Sequence, residues 1–242
     1  LILTAILSGV SLQWRRTMPR HQRYCPADVP QHVVQRGNNH QPCFFDQQDF
    51  ATYLNYLTEY KEQCQVDIHA WVLMSNHVHL LCTPKEEMAT SVLMQSVGRK
   101  YVRYFNTRYQ RCGTLWEGRF KSCLIAEEAY VLNVYRYIEM NPVRAAMVQR
   151  PEHYFWSSYS GNALGRSSDL ITPDPRYQAL GENDAERQMN YRRLFSGALA
   201  EEELCSIRSS LQQCSLLGSA VAQKGVAAKY GLSIPAKLRN HH

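Results

Sequence analysis

Residues 68–82 read IHAWVLMSNHVHLLC, and the pattern of this stretch decides the fold. Almost every position from Ile68 to Met74 is apolar, Ser75-Asn76 interrupts, and a second apolar run goes from His77 to Cys82 with Pro84 behind it. Two short apolar runs separated by two turn-forming residues read as a β-hairpin or a bent strand. Side chains alternate along a strand, so His77 and His79 share one face while Val78 points to the other. Two imidazoles on one strand face suit a metal ion or a phosphate. They equally suit a partly exposed strand that carries two histidines by chance.

Working outward, Gln31 to Arg36 reads as a strand closed by the turn Gly37-Asn38-Asn39. Phe50 to Cys64 places Phe50, Tyr53, Leu54, Leu57 and Cys64 near helical spacing, and Ala89 to Tyr109 carries a stripe of Val92, Leu93, Val97, Tyr101, Tyr104 and Phe105. Gly98 lowers helix propensity without ending that pattern. After Gly113, Arg119 to Ala126 reads as a strand, and Glu127-Glu128 open a helix that runs to about Met140, at the end where negative charge is favourable. The order strand, helix, strand, strand, helix, strand, helix fits an α+β fold of the ferredoxin-like split β-α-β plan, an antiparallel sheet with helices on one face. The other face is then expected to be free for a ligand. The expected organisation is a catalytic domain over 18–160, a loop or linker over 161–183, and a helical accessory segment over 184–242.

The first residues, LILTAILSGVSL, are apolar but shorter than a membrane span and lack a preceding basic stretch, and Met18 is the first methionine. Residues 1–17 are accordingly read as a non-native or upstream extension, with a signal peptide as the alternative. The eight cysteines include no C-x-x-C pair, and several fall inside apolar periodic segments. Free thiols in a reducing, cytoplasmic setting are the simpler account. The formal net charge of +6 is modest, but Arg99, Lys100, Arg103, Arg108, Arg111, Arg119 and Lys121 face a single acid, Glu117, between Gln95 and Lys121. Such a block points to a polyanionic partner. Its basic residues would neutralise phosphates while Trp116 and the tyrosines between them pack or stack on bases.

In the helix after Glu127, Tyr137 precedes Asn141 by four residues, so the two face the same way. A tyrosine that attacks phosphorus needs a cation nearby, because an unperturbed phenol with a pKa of about 10 stays protonated at neutral pH. Two histidines and one polar oxygen could hold a divalent ion that stabilises charge on a phosphate. Tyr137 also reads as an ordinary half-buried packing residue, and Asn141 before Pro142 as a helix-end residue.

Three stretches, AWVLMSNHVHLL (70–81), GTLWEGRFKS (113–122) and YRYIEMNPVRAAMV (135–148), resemble the successive signature segments of the single-tyrosine HUH transposases, the IS200-like family. In detail they are most similar to the REP-associated tyrosine transposases of bacteria. The opening PRHQRYCPADVPQHVVQRGNN (19–39) is also typical of that group, and the resemblance runs from about Met18 to Tyr159. It implies that His77 and His79 bind Mg²⁺ or Mn²⁺, that Tyr137 is the nucleophile, and that Asn141 completes the metal site where insertion-sequence members carry Gln. Tyr130 and Tyr135 do not hold the nucleophile position of the motif. The implied activity is metal-dependent cleavage and rejoining of single-stranded DNA at hairpin-forming repetitive extragenic palindromes, through a 5′-phosphotyrosine link. The protein would be cytoplasmic and nucleoid-associated, with no membrane partner, and either a monomer or a homodimer. A replication initiator or relaxase with the same chemistry, a non-catalytic nucleic-acid-binding domain and a small metal-dependent hydrolase are the alternatives.

Overall fold

The structure, a computed structural model, describes residues 24–232. The expectation for residues 1–17 therefore lies outside the described residues, as does the end of the accessory segment. The sheet is built from β1 (Gln31–Arg36), β2 (Val66–Met74), β3 (His77–Pro84), β4 (Lys121–Ile125) and the two-residue β5 (Leu216–Leu217). The long helices of the first part are α1 (Gln47–Gln63), α2 (Ala89–Arg108) and α3 (Ala129–Glu139), followed by the single turns α4 (Asn141–Arg144), α5 (Tyr159–Asn162) and α6 (Pro175–Gln178). Three further helices, α7 (Asp184–Leu194), α8 (Glu201–Gln213) and α9 (Ala220–Tyr230), complete the described chain.

Spatial order in the sheet is β2-β3-β1-β4-β5. The first four strands pair antiparallel, which is the ferredoxin-like order, and β5 adds in parallel to β4 through Leu124 opposite Leu216. Ser75-Asn76 forms the two-residue connection of the β2–β3 hairpin, and Val34 of β1 lies opposite His79 of β3. β1 is thus the strand beside both histidines. Gly37, which ends β1, is required by close approach, because a Cβ there would collide with the Gln41 carbonyl oxygen and crowd that of Asn76.

α1 begins where the Asp46 carboxylate accepts from the Asp49 amide, an N-cap contributing about 1 kcal/mol. Its Tyr53 and Leu57 pack with Leu93, Val97 and Tyr101 of α2 over Val33, Leu73, Val78 and Leu80. These two helices cover one face of the sheet as expected. The opposite face is not free: Val131, Val134, Tyr135 and Ile138 of α3 pack with Val34, Ala70, Val72, Met74 and Leu81, joined by Tyr191 of α7 and Ile207 of α8. The reason is visible in β2, where both alternating sets of side chains are apolar and both must be buried.

The 161–183 stretch contains only the end of α5 and the single-turn α6, yet it is held to the sheet. His69 Nδ1 bonds the Thr172 carbonyl at 2.7 Å, the Leu170 carbonyl accepts from Lys61 Nζ at 3.3 Å, and Leu170 itself is buried.

Candidate active site and nucleic-acid interface

Period-2 alternation in β3 turns His77 and His79 toward α3. Their rings lie edge to face with centroids 5.0 Å apart, and the Tyr137 ring stands 6.0 Å from that of His79. Tyr137 reaches them because α3 crosses β2 and β3 with Val134 and Ile138 buried against the sheet. Its ring is almost wholly buried.

The histidine nitrogens are unequally engaged. His77 Nδ1 lies 2.6 Å from Asn76 Oδ1, an acceptor, so the proton sits on Nδ1 and the Nε2 lone pair is left over. His79 Nδ1 lies 2.8 Å from Nε2 of a third histidine, His32 of β1, which stacks on it with centroids 5.1 Å apart. The His32 ring also meets the edge of Tyr137 at 5.5 Å. Burial holds all three imidazoles neutral. His77 is pushed down to about 4, with Arg36 and His40 adding to the effect. His32 is pushed down to about 3, with a further contribution from Arg144. His79 titrates well below the usual range, through burial first and then the charges of His32 and His77. Neutral imidazole is the form that ligates metal, so Nε2 of His77, and Nε2 of His79 when its proton sits on Nδ1, fit a divalent cation.

Asn141 follows α3 directly. Its side-chain amide donates to the carbonyls of Tyr137 at 3.0 Å and Ile138 at 3.3 Å, which satisfies helix-end acceptors. Among the described residues no three His, Cys, Asp or Glu groups cluster as a metal site. Arg144, one turn further, donates to the same Tyr137 carbonyl and places its guanidinium 4.3 Å from the centre of the Tyr137 ring. Of the other tyrosines, Tyr135 is fully buried and stacks on Tyr177, whereas Tyr130 is half-buried beside the core.

The structure divides the basic block. Lys100 is engaged by both carboxylate oxygens of Glu59 at 3.0 Å, and Arg108 by Asp46 and Asp49. Tyr104 and Tyr109 donate to the buried Asp49 carboxylate at 2.9 and 2.8 Å, so they serve the α1–α2 interface rather than a stacking surface. Arg111 lies over the Phe105 ring at 5.4 Å. Trp116 is a core residue, paired to Gly37 by an isolated β-bridge, and is no exposed platform. Arg99, Arg103, Arg119 and Lys121 remain exposed with no ion-pair partner among the described residues. Two residues of consequence, His32 and Arg144, carried no sequence signal beyond lying inside the motifs already quoted.

A sheet of this order brings paired imidazoles to face a helix-borne tyrosine. Residues 27–141 match the family model described as Transposase IS200 like. A solved structure described as a REP-associated tyrosine transposase bound to a REP hairpin superposes with a TM-score of 0.52 at 18% identity, covering 65% of this chain and 93% of that one. At that identity the likeness is one of fold. A candidate transposase from Deinococcus radiodurans R1 aligns at 18% identity with a TM-score of 0.35, over 50% of this chain and 93% of its own. No curated protein matches the chain.

Proposed function

We propose that the chain is a single-tyrosine transposase that cleaves and rejoins single-stranded DNA at hairpin-forming repeats, with Tyr137 as nucleophile and His77, His79 and Asn141 as ligands of Mg²⁺ or Mn²⁺. The observation that carries this reading is the meeting of two neutral histidines, each with Nδ1 engaged by a neighbouring side chain, with the ring of Tyr137. The bound cation would supply Lewis-acid polarisation of the scissile phosphate.

The chain's own residues account for the rest. The Tyr137 oxygen gives up its proton to solvent and attacks phosphorus. The P–O3′ bond breaks, and the 3′ oxygen leaves and is protonated to a free hydroxyl while a 5′-phosphotyrosine link remains. Attack by that hydroxyl, or by one from another strand, reverses the exchange, so phosphodiester energy is conserved and no nucleotide is consumed. Arg144 contributes a fixed positive charge beside the ring on which negative charge develops. Arg99, Arg103, Arg119 and Lys121 are free to meet phosphates, whereas Lys100 and Arg108 would first have to leave their acids. The resemblance to REP-associated members supports hairpins of repetitive extragenic palindromes as substrate.

Incubation of wild type and Tyr137→Phe with labelled hairpin DNA, with and without Mn²⁺, tests the reading. A denaturant-resistant protein–DNA band is expected only for wild type with metal. Metal-dependent cleavage without such a band would instead indicate a hydrolase, and binding alone a non-catalytic module.

A further inference from the structure

We propose that Arg36 and Lys121 form a two-phosphate clamp at the mouth of the histidine site, holding consecutive phosphates of the single strand on one side of the scissile position. The inference rests on the reading of the chain as a single-strand nuclease and adds to it the path by which the strand enters.

Residues directly opposite each other in an antiparallel pair share a face of the sheet, so the register fixes where both side chains point. Arg36 of β1 lies opposite His77 of β3, and Val34 lies between His79 of β3 and Lys121 of β4. Residues two apart on one strand also share a face, which brings His32, Val34, Arg36, His77, His79 and Lys121 to the α3 side. The flanking residues of β4 agree: Phe120 packs in the core under α1 and α2, and Cys123 packs in the core under α3. Arg36 and Lys121 are diagonal neighbours, a relation that sets side chains about 7–8 Å apart.

Exposure along the three strands rises in one direction. On β1 it goes from His32 at 0% through Val34 at 8% to the exposed Arg36, on β3 from buried Leu81 through His79 at 5% to half-buried His77, and on β4 from buried Cys123 to the exposed Lys121. The register aligns these gradients, so the site opens at the end where Arg36 and Lys121 stand. A strand entering there passes both cations on its way to the histidines. Neither cation has an ion pair or a side-chain hydrogen bond among the described residues, and Glu117, whose amide donates to the Arg36 carbonyl at 2.8 Å, pairs with neither. The charge of Arg36 also helps to depress the pKa of His77 and His79. A positive charge left unbalanced beside a cation site opposes the cation alone and favours one that is joined by an anion.

Hairpin DNA in which one phosphate at a time near the scissile position is a neutral methylphosphonate tests the clamp through the rate of adduct formation with Mn²⁺. In wild type, two consecutive replacements on one side should each slow the reaction about tenfold. Arg36→Gln should be slow on the unmodified hairpin and insensitive to one of the two replacements, and Lys121→Gln should be slow and insensitive to the other. Mn²⁺ affinity, read by electron paramagnetic resonance, should not fall in either variant, which separates phosphate contact from damage to the metal site. In the Tyr137→Phe chain without metal, adding Arg36→Gln or Lys121→Gln should reduce the slope of log affinity against log salt for the hairpin by about 0.7. A variant that keeps the wild-type response or the parent slope, or that loses Mn²⁺ affinity, would overturn the clamp and leave the nuclease reading intact, because wild type still forms its adduct. No adduct from wild type on any of these hairpins would overturn both.

Discussion

His32 and His79 share one proton between two facing nitrogens, and where it lies decides whether His79 can ligate. If His79 Nδ1–H donates, its Nε2 keeps a lone pair for metal, but His32 must then carry its other proton on Nδ1, which is buried and without a partner. An unsatisfied buried donor costs about 1–3 kcal/mol. In the opposite arrangement His79 Nε2 is protonated and cannot bind metal. His32 is thus a positioning residue of the proposed metal site. His32→Phe should lower Mn²⁺ affinity by about 10–100-fold in an electron paramagnetic resonance titration, and His32→Gln, whose Oε1 can accept, should recover part of it. Unchanged affinity in the phenylalanine variant would remove His32 from the site. Asn141→Ala removes two bonds to the end of α3, so about 1 kcal/mol of stability should be lost by urea denaturation even without metal. Nothing in QHVVQR marks His32 as a partner of His79, because the contact appears only once β1 lies beside β3.

Helix α3 is fastened from beneath by Glu139. Its fully buried carboxylate accepts from Ser158 Oγ at 2.6 Å, Asn162 Nδ2 at 2.8 Å and Tyr191 Oη at 2.7 Å, tying the helix that bears Tyr137 to α5 and α7. Burial raises its pKa to about 7, and the three hydrogen bonds only partly oppose this. The folded pKa exceeds the unfolded one, so this group's contribution is fully present below pH 4.5 and is lost as pH rises through 7. The loss amounts to about 3 kcal/mol. Glu139→Gln should flatten that slope in melting curves taken across the interval, whereas His77 and His32, with lowered values, act with the opposite sign and remain in the variant. The strands and long helices are legible from period and turn residues because each is a local pattern. That α3 covers the second sheet face is less legible, although the unbroken apolar run of β2 contains the clue. Nothing in the sequence marks Glu139 as buried, because Ser158, Asn162 and Tyr191 are brought to it only by the fold.

At the scale of the molecule, the face bearing the histidines and tyrosine and the face covered by α1 and α2 lie on opposite sides of one sheet, and the exposed Arg99 and Arg119 lie on the latter side. The sequence shows a continuous basic block, but its charges are not equivalent. Each phosphate neutralised on a single strand contributes about 0.7 to the slope of log affinity against log salt. Arg103→Ala and Lys121→Ala should each reduce that slope, whereas Lys100→Ala and Arg108→Ala, whose partners are acids of α1 or its cap, should leave it nearly unchanged. Among the described residues no helix is long and apolar enough to cross a membrane.

The most direct test of the account is to digest the metal-dependent protein–DNA adduct and locate the attached nucleotide by tandem mass spectrometry. A 5′-linked nucleotide on the phenol oxygen of Tyr137 is the predicted result. A nucleotide on Tyr130, Tyr135 or any other side chain would contradict the assignment of α3 as the helix that carries the nucleophile.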